Sequence, residues 1–299
     1  KCFLCRKRTK VWRATISPLW EVAAMRKLIT ASFSRLWKEK LFWLVFAFMS
    51  IGSVCYNWIG YNEINNPQIY VEDILFCMLP VSSFVFALFI SMRLGTEFEE
   101  HTIRNKLIVG YSRTQVYFSE YLTCMAASVI LLAVMLLCSG LFGLFLSLEF
   151  LSDWTDIAFL VFGCVLMALV FSAMFVGISM NVGSKAASLV ASIVFLFAIL
   201  LLASFCINAL EEPLMAYTNV IISVEDGVQF GDLIENPAYV DGTQRMIYEL
   251  IADILPTGQA IQMNNLEFER SARWPAFSLI MLIIATVAGY IPFRKRDIR

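Results

Sequence analysis

The chain has 299 residues, of which 59% are hydrophobic and only 16% are charged, with a formal net charge of −1. Its mean hydropathy of +0.72 exceeds what a single water-soluble core requires, so an ordinary soluble domain is excluded. The composition instead indicates a protein of the lipid bilayer.

Residues 1–24 form a basic extension that Pro18 interrupts and that contains no long apolar run. A secretory signal peptide needs such a run, so none is predicted here. Cys2 and Cys5 make a lone Cys-x-x-Cys pair within the extension. A structural zinc ion takes four ligands, and His101 is the only histidine of the chain, so no metal site is predicted.

Residues 25–40 predict an amphipathic helix just before the first long apolar run. Ile29, Phe33, Leu36 and Trp37 share one face of this helix, and basic side chains lie away from it. A helix of this kind lies flat in the bilayer interface, so we expect it to act as an interfacial anchor.

Six apolar runs are long enough to cross a bilayer as helices, which takes about 20 residues each. The predicted spans are residues 41–60, 74–94, 116–148, 157–179, 186–207 and 275–293. Pro80 predicts a kink in the second span. The predicted fold class is therefore an all-α polytopic membrane protein with six transmembrane helices, of which the first five occupy residues 41–207. Residues 274–299 hold the sixth and a basic tail.

Charged side chains are absent from the inner parts of the predicted spans, and the third span is expected to project into water at its Glu120 end. Membrane proteases, metalloenzymes and ion-coupled transporters need carboxylates or histidines at membrane depth, so these classes are disfavoured. Most of the remaining hydroxyls and aromatic rings are expected to pack helices together. A subset forms a candidate translocation path: Ser82, Ser83, Phe86, Phe195 and Phe197.

Basic residues are divided unequally between the two sides of the predicted membrane. Of the 23 basic residues, only Arg245, Arg270 and Arg273 fall on the side of the long connection before the sixth span. Because Lys and Arg favour the cytosolic side, both termini are predicted to be cytosolic.

The long connection, residues 208–273, is then an extracellular insert that is acidic and contains no cysteine, which excludes disulfides within it. Residues 242–262 predict a helix that Pro256 interrupts. Residues 227–242 are rich in turn-forming residues and predict a loop.

Residues 97–109 predict a short cytosolic helix between the second and third spans. Gly110 is suited to the end of this helix. Ser112 and Gln115 have the spacing of a capping box that opens the third span. The connection is therefore predicted to be a structured hairpin.

The sequence GTEFEEHTIRNKLIVGYSRTQVYFSEYL, Gly95 to Leu122, resembles the segment after the second span of ABC type-2 permeases, the membrane subunits of ATP-driven exporters. The family pattern is an acidic residue, a Gly-Thr-Ile-Arg-Asn-like core, a glycine and a Ser-Arg pair. His101 stands where these proteins often have glycine. The matching residues are Glu97 or Glu100, Thr102, Ile103, Arg104, Asn105, Gly110, Ser112 and Arg113. The resemblance in layout covers most of residues 25–299.

The resemblance implies that residues 97–109 are a coupling helix that docks on a separate ATP-binding subunit. The docking residues it implies are Glu97, Glu100, Thr102, Ile103, Arg104, Asn105, Leu107 and Arg113. None of the 14 glycines is followed by lysine, so the chain has no P-loop of its own, and ATP and Mg²⁺ are expected in the partner. No cofactor is predicted for this chain.

The resemblance further implies a bacterial plasma-membrane exporter in which two permease subunits, identical or related, bind two ATPase copies. Membrane lipid is a predicted partner and nucleic acid is not. The expected cargo is amphipathic or hydrophobic, with a peptide or drug-like compound favoured. An alternative reading is a non-transporting scaffold or sensor whose outer insert binds a peptide or protein; a membrane enzyme is a third.

Overall fold

The computed structural model describes residues 24–63, 69–217, 220–223, 227–230, 233–266 and 270–296. The basic extension, with Cys2 and Cys5, therefore lies outside the described residues, apart from residue 24. The first helix, α1, covers residues 24–36. The other helices are α2 (Lys40–Glu63), α3 (Val71–Phe76), α4 (Leu79–Glu99), α5 (Thr102–Ile108), α6 (Arg113–Phe145), α7 (Trp154–Val182), α8 (Lys185–Glu211), α9 (Gly242–Ile254), α10 (Pro256–Asn264) and α11 (Trp274–Lys295).

Six helical stretches of the described chain are long and apolar enough to cross a membrane. They correspond to α2, α3 with α4, α6, α7, α8 and α11, which confirms the predicted number of spans. Five stretches extend beyond both ends of the predicted span, because backbone hydrogen bonding continues into the flanking polar residues. The third begins earlier than predicted, at Arg113, but ends at Phe145, before the predicted end at residue 148.

The second span is broken near Pro80, as predicted. α3 ends at Phe76 and α4 begins at Leu79, which places Pro80 in the first turn of α4. Proline is tolerated there because the first backbone N–H groups of a helix have no acceptor within it.

Arg296 joins several chain segments at one end of the bundle. Its guanidinium donates hydrogen bonds to the backbone oxygens of Met180, Asn181 and Val182, which terminate α7. Arg113, at the start of α6, donates to the backbone oxygen of Arg296. A cation at a helix C terminus pairs with its unsatisfied carbonyls. We call this end of the bundle, which also carries α5, the α5 end.

α7 is the central helix, and its closest neighbour is α11. The two backbones meet at Gly177 and Gly289, where a Cβ atom on Gly289 would lie 2.6 Å from the Gly177 Cα atom. The same Cβ would lie 2.6 Å from the hydroxyl oxygen of Tyr117, and Asn181 Nδ2 donates to the Gly289 carbonyl at 2.8 Å. Small residues allow such close approach between membrane helices.

Gly289→Val should therefore separate α7 from α11 and lower stability by about 1–3 kcal/mol, the usual cost of overpacking. The change can be measured as a lower thermal midpoint of the purified protein in detergent. Gly60→Val is the matched control, because a Cβ atom on Gly60 meets no atom within 4 Å. Equal midpoints for the two variants would contradict this description of the contact.

α1 packs on the bundle along one face, which includes Leu36 and, in part, Phe33 of the predicted apolar face. Leu28, Ser32 and Leu36 are buried, whereas Trp37 is 47% exposed. α1 ends at residue 36, so Trp37 lies just beyond the helix, and the interfacial anchoring role of this segment stays a prediction.

The insert is not wholly helical, which corrects the predicted class for this segment. Its described residues contain four short strands, β1 (Met215–Tyr217), β2 (Val220–Ser223), β3 (Gly227–Phe230) and β4 (Leu233–Glu235). β1 pairs antiparallel with β4, and β2 pairs antiparallel with β3. Residues 227–230 and 233–235 are therefore strands and not the predicted loop. Strands of three or four residues are too short for an alternating pattern to reveal.

The helical part of the insert, α9 and α10, forms a hairpin that enters the bundle. α10 begins at Pro256, where the sequence predicted a break, and packs on α4, α7 and α8. Thr257 Oγ1 donates to the backbone oxygen of Ile199 at 3.1 Å, roughly midway along α8. Ala260 and Met263 belong to the main hydrophobic core. The insert is therefore partly integrated into the bundle and is more than a surface cap.

Candidate functional site

α5 is shorter than the predicted helix over residues 97–109. α4 continues through Glu99, so Glu97 lies in the last turn of α4. The chain then turns at His101, which has a φ of 56° in the left-handed region. Glycine enters this region without steric cost, which explains physically why the related pattern often has glycine at this position.

Two side chains anchor α5 to the bundle. Ile103 is fully buried in the main hydrophobic core, and Leu107 packs partly against it. Thr102 Oγ1 donates to the backbone oxygen and to the carboxylate of Glu97 at the end of α4. These contacts hold α5 in a defined orientation on α4 and α6.

The outward side of α5 combines apolar and basic side chains. Ile108 and Val109 are 72% and 76% exposed, and Arg104 and Asn105 beside them are also exposed. A surface cavity of about 500 Å³ lies here, and its wall includes Arg104, Ile108 and Arg113. An exposed apolar pair with a basic margin is a surface that a complementary protein can cover.

The predicted docking residues divide between the two sides of α5. Glu97 and Ile103 are buried and cannot touch a partner in this arrangement, while Thr102 and Leu107 are partly buried. Of the other predicted residues, Glu100, Arg104 and Asn105 are exposed, and Arg113 is partly buried. Sequence analysis missed Ile108 and Val109, because one short helix gives too few turns for a periodic pattern to show which apolar residues face outward.

Beneath α5 lies a buried cluster of charged groups that links four helices. Lys106 Nζ lies 2.7 Å from Glu120 Oε1 on α6 and 3.2 Å from Glu97 Oε2 on α4. Arg93 Nη1 on α4 lies 3.2 Å from Glu120 Oε2, and both side chains are fully buried. Arg35 Nη1 on α1 lies 3.1 Å from Glu97 Oε1. We call Arg35, Glu39, Arg93, Glu97, Lys106 and Glu120 the charge cluster.

Glu120, at the end of the third span that is expected to project into water, is itself fully buried within the protein. Its carboxylate accepts hydrogen bonds from Lys106 at 2.7 Å and from the Ser32 hydroxyl of α1 at 2.6 Å. These donors replace water around the carboxylate, which permits a charged group in the interior. The spacing of the sequence could not show this, because the partners come from α1, α4 and α5.

Glu39 completes the cluster from the turn between α1 and α2. Its Oε2 atom lies 3.3 Å from Arg93 Nε. Burial raises the pKa of the Glu39 carboxyl above its usual value, and the Arg93 charge acts in the opposite direction. The cluster contains three basic and three acidic groups, so its charges balance without a counter-ion.

The five residues of the candidate translocation path do not share one surface. Ser82 and Ser83 are buried, and their hydroxyls donate to backbone oxygens of their own helix, each at 2.6 Å. Phe86 is fully buried in the core. Phe197 is 48% exposed on α8, where its ring contacts Phe84 with centroids 5.3 Å apart. Phe195 is partly buried on the same helix.

Six apolar helices around a packed core define a multi-pass membrane protein. The short helix α5 is exposed on its outer side and rests on the charge cluster. This arrangement is suited to contact with a partner outside the bilayer. The chain belongs to the ABC-2 family of transporter proteins, since the family model described as "ABC-2 family transporter protein" matches residues 28–207. None of the curated proteins compared with the chain matches it.

The family match extends from within α1 to most of α8, and therefore includes α5 and the charge cluster. It confirms the resemblance seen in the sequence and makes the chain an ABC-2 type permease subunit. Permeases of this family lack the catalytic ATPase domain, so ATP binding and hydrolysis belong to a separate ATP-binding subunit. The prediction that this chain is not the ATPase is thereby confirmed.

Proposed function

We propose that this permease exports an amphipathic or hydrophobic cargo from a bacterial cell. We further propose that the partner ATPase binds α5 and drives transport through this helix. Ile108 and Val109 carry the proposal. Two aliphatic side chains exposed side by side on a rigidly anchored helix are costly in water and are stabilised when a partner covers them.

The proposed docking surface consists of the accessible groups around this pair: Glu100, Arg104, Asn105, Ile108, Val109 and Arg113. The groove that receives it should have an apolar floor and an acidic rim, since Arg104 lies beside the aliphatic pair. Thr102, Ile103 and Leu107 would hold α5 in place, and Glu97 would hold Lys106. These four residues would therefore support docking by positioning α5, without touching the ATPase themselves.

Force applied to α5 would reach the membrane helices by two routes. One is the packing of Ile103 in the hydrophobic core, which is dense and transmits displacement. The other is Lys106, whose ammonium group contacts carboxylates of both α4 and α6. Closure of two ATPase copies around ATP and Mg²⁺ would therefore displace the second and third spans of each permease subunit together.

Pairing with a second permease subunit, identical or related, is part of the proposal. α8 exposes an apolar face that a second subunit or lipid must cover: Val190, Val194, Phe197, Leu201 and Phe205. A path formed between two such faces would be apolar. This supports a hydrophobic or amphipathic cargo, with a peptide or drug-like compound favoured.

The α5 end is proposed to face the cytosol. Arg104, Arg113, Lys185, Arg294 and Lys295 all lie at or near this end, and basic residues favour the cytosolic side of a membrane. Both termini would then be cytosolic, the insert would be extracellular, and the bilayer would be the plasma membrane.

Co-purification in mild detergent tests the proposal, using affinity purification of the intact chain from its native membranes. We expect one P-loop ATPase for each permease chain and an ATPase rate that depends on the permease. A permease recovered without an ATPase, or with a signalling protein instead, would contradict the proposal and support a scaffold or sensor.

A further inference from the structure

The corner between α1 and α2 contains a cavity that shares Glu100 with the proposed docking surface and also borders the charge cluster. Its volume is about 490 Å³, within the usual range for small-molecule sites. Its wall includes Arg35, Lys38 and Lys40, together with residues from the end of α4, the following turn and the start of α5. The cavity opens at the surface of the protein beside the start of α2.

The charges of the cavity wall leave two amines without an acidic partner. Glu39 pairs with Arg93, and Glu97 pairs with Arg35 and Lys106. Within the described part of the chain, Lys38 and Lys40 form no ion pair, although both line the cavity and are exposed. Glu100 is the remaining acid of the wall, so one positive charge is left in excess.

The surface next to the cavity is suited to the boundary between lipid headgroups and acyl chains. Trp37 and Trp43 are 47% and 48% exposed, and Trp43 Nε1 donates to the Trp37 backbone oxygen at 2.9 Å. Tryptophan is enriched at this boundary, because its ring is largely apolar and its N–H is polar. Beyond Trp43, the exposed side of α2 continues with Leu44 and Phe48, which are fully apolar.

We propose that this cavity binds the phosphate of an anionic glycerophospholipid, with Lys38 and Lys40 as its charge partners. The acyl chains would lie along Trp43, Leu44 and Phe48, which form a continuous apolar surface leading away from the amines. Charge-assisted hydrogen bonds from two amines to one phosphate supply the selectivity for an anionic headgroup. The proposal requires only that the chain lies in a bilayer, and it does not rest on the docking of an ATPase.

Native mass spectrometry of the intact chain in detergent tests the site, with phosphatidylglycerol and phosphatidylcholine of identical acyl chains as probes. Detergent provides no anionic bilayer surface, so retention reports a defined site. We expect wild-type protein to retain phosphatidylglycerol at least about tenfold more strongly than phosphatidylcholine. Lys38→Gln with Lys40→Gln should remove this preference.

Arg26→Gln with Lys27→Gln is the matched control, because it removes the same charge from exposed positions of α1 outside the cavity. The control should keep the preference. Because all four side chains are exposed, thermal midpoints should stay unchanged in both variants. Three results would overturn the proposal: no preference in the wild type, an equal loss in the control, or displacement of the lipid by glycerol phosphate at equal concentration, which would indicate a site for soluble anions.

Discussion

Ile108→Asp combined with Val109→Asp should abolish stimulation of the ATPase by the permease while leaving the permease folded. Both side chains are largely exposed, so carboxylates there remain in water in the free protein. In the complex, the partner's groove would have to desolvate two charges, and its proposed acidic rim would repel them. We expect binding to weaken by at least about 100-fold. The measurement is the ATPase rate as a function of permease concentration.

A matched control for this variant lies on the insert. Leu214 and Met215 are a second exposed apolar pair, 56% and 45% accessible, remote from α5. Their replacement by Asp should leave the stimulation intact. Undiminished stimulation in the Ile108 and Val109 variant would exclude the proposed docking surface. Loss in both variants would instead indicate a nonspecific effect of added charge.

A variant at Ile103 distinguishes residues that dock the ATPase from residues that anchor α5 to the bundle. Because Ile103 is fully buried, Ile103→Asp places a carboxylate in the hydrophobic core and should lower the thermal midpoint as well as the ATPase stimulation. The Ile108 and Val109 variant should lower only the stimulation. The pair of measurements therefore distinguishes a surface residue from one that holds the surface in place.

Glu120→Gln should be among the most destabilising conservative substitutions in this chain. It removes the charge that balances Lys106 at 2.7 Å and Arg93 at 3.2 Å, and Arg93 is then left with Glu39 alone. Breaking a buried ion pair by removing one partner costs about 3–5 kcal/mol. The thermal midpoint in detergent should fall by on the order of 10 °C.

Glu100→Gln is the control for Glu120→Gln, since it makes the same chemical change at an exposed position near α5. It should leave the midpoint within a degree or two of the wild type. Adding Arg93→Met to Glu120→Gln should restore part of the loss, because the uncompensated buried charge is then removed. A midpoint for Glu120→Gln equal to that of Glu100→Gln would show that the charge cluster does not stabilise the fold.

The cluster is also the proposed link between α5 and the membrane helices. If Lys106 transmits displacement of α5, Glu120→Gln should reduce ATPase-driven transport more than it reduces ATPase binding. The Ile108 and Val109 variant should reduce binding first. ATPase binding and ATPase-driven transport should therefore be measured for the Glu120→Gln variant and for the Ile108 and Val109 variant. The expected pattern assigns the outer face of α5 to docking and the charge cluster beneath it to coupling.

The sequence by itself determined that six segments of the described chain are long and apolar enough to span a bilayer and that α5 lies between the second and third of them. Crossing a hydrocarbon core requires about 20 consecutive apolar residues. This property belongs to one continuous segment, so it can be recognised without knowing how distant parts of the chain pack. The same holds for Pro80 and Pro256, whose missing N–H groups restrict them to helix starts.

Only the tertiary structure decided where α5 begins and which of its side chains face outward. The break at His101 comes from a left-handed residue that no glycine or proline marks. The surroundings of Glu120 come from Ser32, Arg93 and Lys106, which packing brings together from three other helices. The position of α10 inside the bundle likewise depends on α4, α7 and α8. Local sequence patterns indicate the length and periodicity of a helix. The burial of a charged side chain depends instead on partners that are distant in the chain.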